Sequence, residues 1–175
     1  MTEVTFRPAD DADIERLLPL IHSAYRGDSA RLGWTHEADL LDGQRTDVDA
    51  LHAILADPAE AIIIAERGGI LIGCVRVTDL GDGLSSLGML AVDPVRQGGG
   101  LGRRLIAEAE AHARRLAQRR MEMTVISQRA ELIAFYERRG YELTGETRPF
   151  PATDPRFGVP RRSDLAFIVM ERALT

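Results

Sequence analysis

The stretch Val92–Arg103 constrains the fold of this chain more than any other. The apolar run before it, residues 87–92, is typical of a buried strand. The apolar residues after it recur with the spacing of one helix face: Leu101, Leu105, Ile106, Ala109, Ala113 and Leu116. Three consecutive glycines, Gly98–Gly100, bury nothing and cost backbone entropy. They favour a turn whose backbone N–H groups, at a helix N-terminus, surround a phosphate or pyrophosphate; an ordinary strand-to-helix turn is the alternative.

Two familiar glycine-rich patterns do not fit this turn. A P-loop requires a lysine, and all 22 basic residues of this chain are arginine. The dinucleotide fingerprint requires a third glycine where Arg103 stands, and no early strand–helix–strand unit surrounds the turn. A third pattern, Gln/Arg-x-x-Gly-x-Gly/Ala, is matched by Gln97, Gly100 and Gly102.

Length and composition predict a single globular domain over residues 1–175. Apolar residues make up 45% of the chain and charged residues 28%, as in soluble proteins. No apolar run approaches the length of a membrane span and no signal peptide is evident, so we expect a cytoplasmic protein with no membrane partner. The net charge of −5, without a basic stripe carrying aromatics, argues against a nucleic-acid partner.

Cysteine and histidine patterns predict no metal site. The single cysteine, Cys74, lies in an apolar strand pattern, where a buried structural thiol is expected rather than a nucleophile. The four histidines lack the spacing of metal ligands: His22, His36, His52 and His112.

Charge is divided unevenly along the chain. Residues 1–66 carry 14 Asp and Glu against 5 Arg, whereas residues 67–175 carry 13 Asp and Glu against 17 Arg. The basic part contains the glycine turn, which suits a polyanionic cofactor, and the acidic part would attract a cation. Solvated faces without a selective role are the alternative.

Periodicity along the rest of the chain predicts alternating strands and helices. The predicted strands cover residues 4–7, 61–66, 70–77, 84–92, 121–126, 141–147 and 165–173. Helices are predicted from residue 14 to about 25, at 48–55, from 101 to about 120 and at 132–136. Thr46–Asp49 resembles a capping box, and Gly140 would end the last helix. A crossover helix joins residues 87–92 to residues 123–126, so we expect these two segments to lie side by side in parallel.

A second motif follows the strand predicted at residues 121–126. Residues Ser127–Tyr141 contain the aromatic pair Phe135-Tyr136 and then Gly140-Tyr141. Together with the glycine turn, this stretch resembles the two signature motifs of the GNAT superfamily of N-acetyltransferases, whose element order is the one predicted here. The resemblance implies an α+β fold with a mixed, mostly antiparallel sheet of about seven strands. That sheet would be splayed between its central parallel pair and carry helices on both faces.

The resemblance implies acetyl-CoA as the cosubstrate and indicates the residues that would bind it. The backbone of Leu90, Ala91 and Val92 would pair with the pantetheine arm, and the Leu90 N–H would donate to the thioester carbonyl. The turn would hold the cofactor's pyrophosphate, and its expected cofactor-binding residues are Gln97, Gly98, Gly99, Gly100, Leu101, Gly102 and Arg103. Of the flanking arginines Arg96, Arg103 and Arg104, Arg103 has the best claim to contact the cofactor's phosphates, and a solvated helix face is the alternative. Arg129 stands where the family has asparagine, and would reach the cofactor's phosphates or face solvent.

The resemblance also assigns an acid but no base. The Tyr136 hydroxyl would protonate the departing thiolate; a core aromatic is the alternative role, which we expect to suit Phe135 better. The strand at residues 84–92 lacks the glutamate that some members carry. Glu66, Asp79 and water remain open as proton acceptors.

The expected acceptor is a primary amine of a small molecule or peptide, which attacks directly in a ternary complex. Trp34 and Thr35 are candidate substrate contacts; packing on the core is the alternative for Trp34. The proline-rich loop over residues 149–163 is expected to be functional or disordered because of its length. A CoA-binding regulatory domain without transfer activity is the alternative function. The closing strands could also form the edge of a homodimer.

Overall fold

The computed structural model describes residues 2–25, 41–42, 46–96, 99–149, 159–160 and 166–174. Within these ranges the chain forms four α-helices and nine strands. The helices are α1 (Ile14–Tyr25), α2 (Val48–Ala56), α3 (Leu101–Arg115) and α4 (Ala130–Glu137). The strands are β1 (Val4–Pro8), β2 (Leu41–Asp42), β3 (Glu60–Arg67), β4 (Ile70–Gly81), β5 (Leu84–Val92), β6 (Arg120–Ile126), β7 (Glu142–Pro149), β8 (Val159–Pro160) and β9 (Ala166–Ala173). The predicted order is confirmed except that β2 and β8, which pair with each other, were not expected.

Seven of these strands form one mixed sheet in the order β1-β3-β4-β5-β6-β9-β7. Every neighbouring pair is antiparallel except β5 and β6. The predicted α+β fold with a central parallel pair is therefore confirmed. The parallel ladder, however, joins Leu84–Ser86 to Arg120–Glu122 and does not reach residues 87–92 and 123–126, which were expected to pair.

Helices cover both faces of the sheet and enclose two hydrophobic cores. The α3-side core contains the apolar faces of α3 and α4 and the sheet residues beneath them, such as Val75 and Met123. The α1-side core contains α1, α2 and the opposite face of the sheet, including Ile64 and Cys74. This separation follows from the alternation of side chains along each strand.

The helix ends differ from the predicted ones by a few residues. Asp47, rather than Thr46, caps α2, and its side chain accepts a hydrogen bond from the Ala50 N–H at 2.7 Å. Threonine and aspartate are both common N-cap residues, so the sequence alone does not distinguish Thr46 from Asp47 as the residue that begins the helix. Helix α3 ends at Arg115, and Gly140 has a φ of +92° just beyond α4, as its predicted stop position requires.

An ion network joins the first strand, the first helix and β3. Arg7 donates to both carboxylate oxygens of Asp13 at 2.9 Å, and Arg16 donates to Asp13 at 2.6 Å. Glu66 accepts from the same two arginines, at 2.8 Å from Arg16 and 3.2 Å from Arg7. The hydrogen bond from Arg7 holds the pKa of the buried Asp13 carboxyl well below its usual value.

Glycine at position 73 lets α3 lie directly against β4. A Cβ atom at Gly73 would come 2.8 Å from Leu105 Cδ1 and 3.1 Å from the Ala91 carbonyl oxygen. Both distances are shorter than ordinary van der Waals contacts. The close approach of α3 to the sheet therefore depends on the absence of a side chain at this position.

We predict that Gly73→Ala lowers the free energy of unfolding by about 1–3 kcal/mol, because Leu105 or the backbone at Ala91 must move. Gly88→Ala on the neighbouring strand is the matched control, since a Cβ there has no atom within 4 Å. Urea denaturation of the two variants measures the difference. Equal stabilities would contradict the packing constraint.

We also predict that stability falls as the pH drops below about 4, the unfolded-state pKa of an aspartate. The folded-state pKa of Asp13 is lower, so its contribution is present above that pH and is lost during acidification. Asp13→Asn should flatten this dependence in urea titrations at successive pH values, whereas the exposed neighbour Asp11→Asn should not. If the free energy of unfolding of Asp13→Asn depended on pH as strongly as that of the wild type, this assignment would be wrong.

Candidate functional site

A β-bulge interrupts β5 at Met89, which has a φ of +48°. Gly88 lies opposite Arg76, and Ala91 lies opposite Cys74, so β5 contains one more residue than β4 across this step. Because of the extra residue, the side chains after the bulge point to the opposite face of the sheet from the one that regular alternation would give them. Leu87 faces the α3-side core, whereas Met89 and Ala91 face the α1-side core and Leu90 and Val92 pack on the α3 side. The buried Cys74 thiol donates to the Met89 carbonyl oxygen at 3.7 Å.

The bulge lies where β5 separates from its parallel neighbour. The last rung of the parallel ladder joins Ser86 to Glu122. Beyond it, β6 continues to Ile126 beside β9, and β5 continues to Val92 beside β4. The splay that the family resemblance implied is therefore present, and it begins just before Met89. Such an opening can admit an extended ligand that pairs with the backbone of a strand.

The glycine turn carries the chain from the end of β5 into α3. Gly100 is the N-cap residue of α3, and its φ of +79° is a conformation that favours glycine. A glycine has no side chain, so Gly100 provides no side-chain cap to the N–H groups of the first turn. Those groups belong to Leu101, Gly102 and Arg103, three of the predicted pyrophosphate-binding residues. Gln97 and Gly98 lie outside the described residues.

The first turn of α3 contacts the end of β5 and α4. A Cβ at Gly102 would lie 3.8 Å from Phe135 Cζ and 4.0 Å from Val92 Cγ2. The fold thus brings together the predicted pantetheine strand, the predicted pyrophosphate turn and the aromatic motif. Gly99 is exposed beside this junction.

Tyr136 is the more buried member of the aromatic pair, with 5% of its surface exposed. Its ring packs edge-on against Phe135, with ring centres 5.5 Å apart, and against Tyr141 at 6.1 Å. It belongs to the same core as Val92 and Leu101. The expectation that Phe135 suits the core better than Tyr136 is wrong, because Phe135 is only half-buried beside α3.

Arg129 does not face solvent, which was one of its two expected roles. It occupies the N-cap position of α4 and is 4% exposed, and its Nε lies 3.8 Å from Glu131 Oε1. Of the arginines beside the glycine turn, Arg96 pairs with Asp93, and Arg104 lies 5.0 Å above the centre of the Phe6 ring. Arg103 is exposed, and no described carboxylate pairs with it.

The carboxylates considered as bases have structural partners. Glu66 belongs to the ion network of Arg7 and Arg16, whose hydrogen bonds lower its pKa. Asp79 accepts a hydrogen bond from the Gly81 N–H at 2.8 Å at the end of β4. Neither is joined to the opening between β5 and β6 by a described contact.

Sequence reasoning missed Glu122, which is 5% exposed on the last rung of the parallel ladder. Arg148 donates to both of its carboxylate oxygens, at 3.0 and 3.3 Å. Alternation within the strand offered a signal, because a glutamate stands between the buried Met121 and Met123 and must face the other side of the sheet.

The predicted substrate contacts Trp34 and Thr35 lie outside the described residues, as does most of the loop over residues 149–163. The part of that loop that the structure describes includes β8, which pairs with β2. Among the described residues, no cluster of three or more His, Cys, Asp or Glu side chains could hold a metal ion. In the same ranges, no helix is long and apolar enough to cross a membrane.

Comparison with solved structures identifies this architecture. The yncA protein of Salmonella typhimurium, solved with its cofactor acetyl-CoA, shares 22% sequence identity, with a TM-score of 0.72 over 99% of this chain and 95% of that chain. The ribosomal-protein-alanine N-acetyltransferase of Brucella melitensis shares 21% identity, with a TM-score of 0.72 over 97% of this chain and 99% of that chain. At these identities the likeness shows a common fold.

Sequence comparison gives the family. A curated relative, the IAA acetyltransferase of Azospirillum brasilense, is 29% identical over 97 residues, which are 55% of this chain and 63% of that protein. The model of the acetyltransferase (GNAT) family matches residues 22–141, which include both the glycine turn and the aromatic motif. The chain belongs to the GNAT family of acetyltransferases.

Proposed function

We propose that this protein transfers an acetyl group from acetyl-CoA to a primary amine of a small molecule or peptide, by direct attack in a ternary complex. The bulge at Met89 carries the proposal, because it coincides with the separation of β5 from β6. The same strand leads into a helix N-terminus with a glycine cap. A strand opening joined to an anion-binding turn fits an extended cosubstrate with a pyrophosphate at one end.

The chain's own groups divide into those that hold the cosubstrate and those that act on it. Acetyl-CoA supplies an activated acyl thioester. The first-turn amides of α3 and the residues of the glycine turn bind the pyrophosphate, while Leu90, Ala91 and Val92 align the pantetheine arm. The Leu90 N–H donates to the carbonyl oxygen as it gains negative charge. Arg129 is buried at the start of α4, just after the end of β6.

Tyr136 acts as the general acid in this proposal. Its hydroxyl gives a proton to the sulfur as the carbon–sulfur bond breaks and the carbon–nitrogen bond forms. We assign no general base. Arg7 and Arg16 hold Glu66, and Arg148 holds Glu122, so these carboxylates are already hydrogen-bonded acceptors. Water receives the proton that the amine loses.

Incubation with acetyl-CoA and a panel of amines tests the proposal. The panel contains a polyamine, an aminoglycoside, free amino acids, an arylalkylamine and peptides with a free N-terminus. We expect thiol release and an acetylated product, identified by mass spectrometry, with at least one of these amines. The protein's single thiol, Cys74, is buried and adds little background. Thiol release no faster than without enzyme for every amine would contradict acetyl transfer.

We predict that Tyr136→Phe lowers kcat about 100-fold or more while acetyl-CoA affinity changes little, because the ring remains and the proton donor is lost. Tyr141→Phe is the matched control. The Tyr141 hydroxyl donates to the buried Glu110 at 3.0 Å, so this change should lower stability and leave kcat unaltered. An unchanged kcat in Tyr136→Phe would remove the acid assignment.

The alternative is a CoA-binding regulatory domain on the same fold. The absence of a glutamate on β5 favours it, because one source of a base is missing. Calorimetric titration distinguishes the two functions. Tight acetyl-CoA binding without turnover of any amine in the panel would support the regulatory domain.

A further inference from the structure

Three arginines lie together beside the N-terminal turn of α3: Arg103, Arg138 and Arg139, called here the arginine cluster. Arg103 belongs to that turn, and the other two follow α4 directly. Phe135 connects the two elements. Its Cζ is 3.8 Å from the Cβ position of Gly102, and the Arg139 guanidinium carbon lies 4.7 Å from the centre of its ring. The stacking on Phe135 therefore sets Arg139 close to the start of α3.

The cluster lacks the counter-charges that other arginines of this protein have. Arg7, Arg76 and Arg172 are each bound to buried or half-buried carboxylates. In the described part of the chain, by contrast, no carboxylate forms an ion pair with a member of the cluster. Within the same ranges, the buried Nε of Arg139 has no hydrogen-bond partner.

Gathering these charges is unfavourable without an anion. Burial, together with repulsion from Arg103 and Arg138, lowers the pKa of Arg139. A buried donor without a partner adds a desolvation cost. The arrangement becomes favourable when a dianionic group accepts hydrogen bonds from several guanidinium groups.

We infer that the arginine cluster binds the 3′-phosphate of CoA and thereby distinguishes CoA from 3′-dephospho-CoA. The inference rests on the proposed function, which supplies the ligand. The first-turn amides of α3 suit the pyrophosphate, because they offer several N–H donors at the positive end of the helix dipole. The 3′-phosphate is the remaining anionic group of CoA and is the one that three unpaired guanidinium groups suit.

Calorimetric titration of the full chain with CoA and with 3′-dephospho-CoA tests the inference. We expect the wild type to bind CoA at least about 10-fold more tightly, which corresponds to a hydrogen-bonded charge pair. Arg139→Gln and Arg103→Gln should each weaken CoA binding about 10-fold and hardly change 3′-dephospho-CoA binding. Arg139→Lys, which keeps the charge, should retain part of the discrimination.

Arg115→Gln is the matched control, since it removes an exposed arginine at the C-terminal end of α3, the helix whose first turn contains Arg103. It should bind both ligands as the wild type does, and thermal unfolding establishes that all variants are folded. Equal wild-type affinity for the two ligands would overturn the inference and leave the proposed function intact. Equal weakening of both ligands by Arg139→Gln would also overturn it, because the contact would then lie elsewhere on CoA. Failure of the wild type to bind either ligand would overturn the proposed function itself.

Discussion

The change of face in β5 is the constraint on which the rest of the structure depends. A regular strand would place Leu87, Met89 and Ala91 on one face of the sheet. The extra residue at the bulge sends Met89 and Ala91 into the α1-side core, while Leu90 and Val92 complete the α3-side core. Both helical layers rely on this exchange for their contacts with the middle of the sheet. The pairing of β5 with β6 ends just before this irregularity, and the opening in which we place the thioester begins there.

Close contact between α3 and the sheet brings the glycine turn to that opening. Gly73 permits this approach, because a Cβ there would come 2.8 Å from Leu105 Cδ1, whereas a Cβ at Gly102 would make only ordinary contacts with Val92 and Phe135. Gly73 therefore serves packing, and Gly100 serves the backbone, because its φ of +79° is costly for other residues. The same helix therefore combines a tight contact with the sheet and an N-terminus capped by glycine.

The arginines of this protein fall into two groups. One group neutralises carboxylates that the sheet and α3 bury, as in Glu60 with Arg76, Glu122 with Arg148 and Glu110 with Arg172. Removing one partner of such a pair would leave a buried charge, so these arginines serve the fold. The arginine cluster has no comparable partner within the described chain and lies beside the helix N-terminus. Stability and anion binding are thus assigned to different arginines, although the residue type is the same.

The sequence by itself determined the order of the main elements, the glycine turn and the apolar face of α3, because each is written in local spacing. It did not determine the bulge, because residues 87–92 are all apolar and pack on both faces of the sheet, so the sequence contains no polar–apolar alternation in which a shift could be seen. It also could not rank Phe135 and Tyr136 by burial, since neighbouring aromatic residues on a short helix differ only in what packs against them. The proximity of Arg139 to Arg103 was equally hidden, because it arises from the contact of Phe135 with Gly102. Local patterns decide which elements form, whereas register, face and charge proximity were decided only by the tertiary structure, because they depend on contacts between residues distant in the chain.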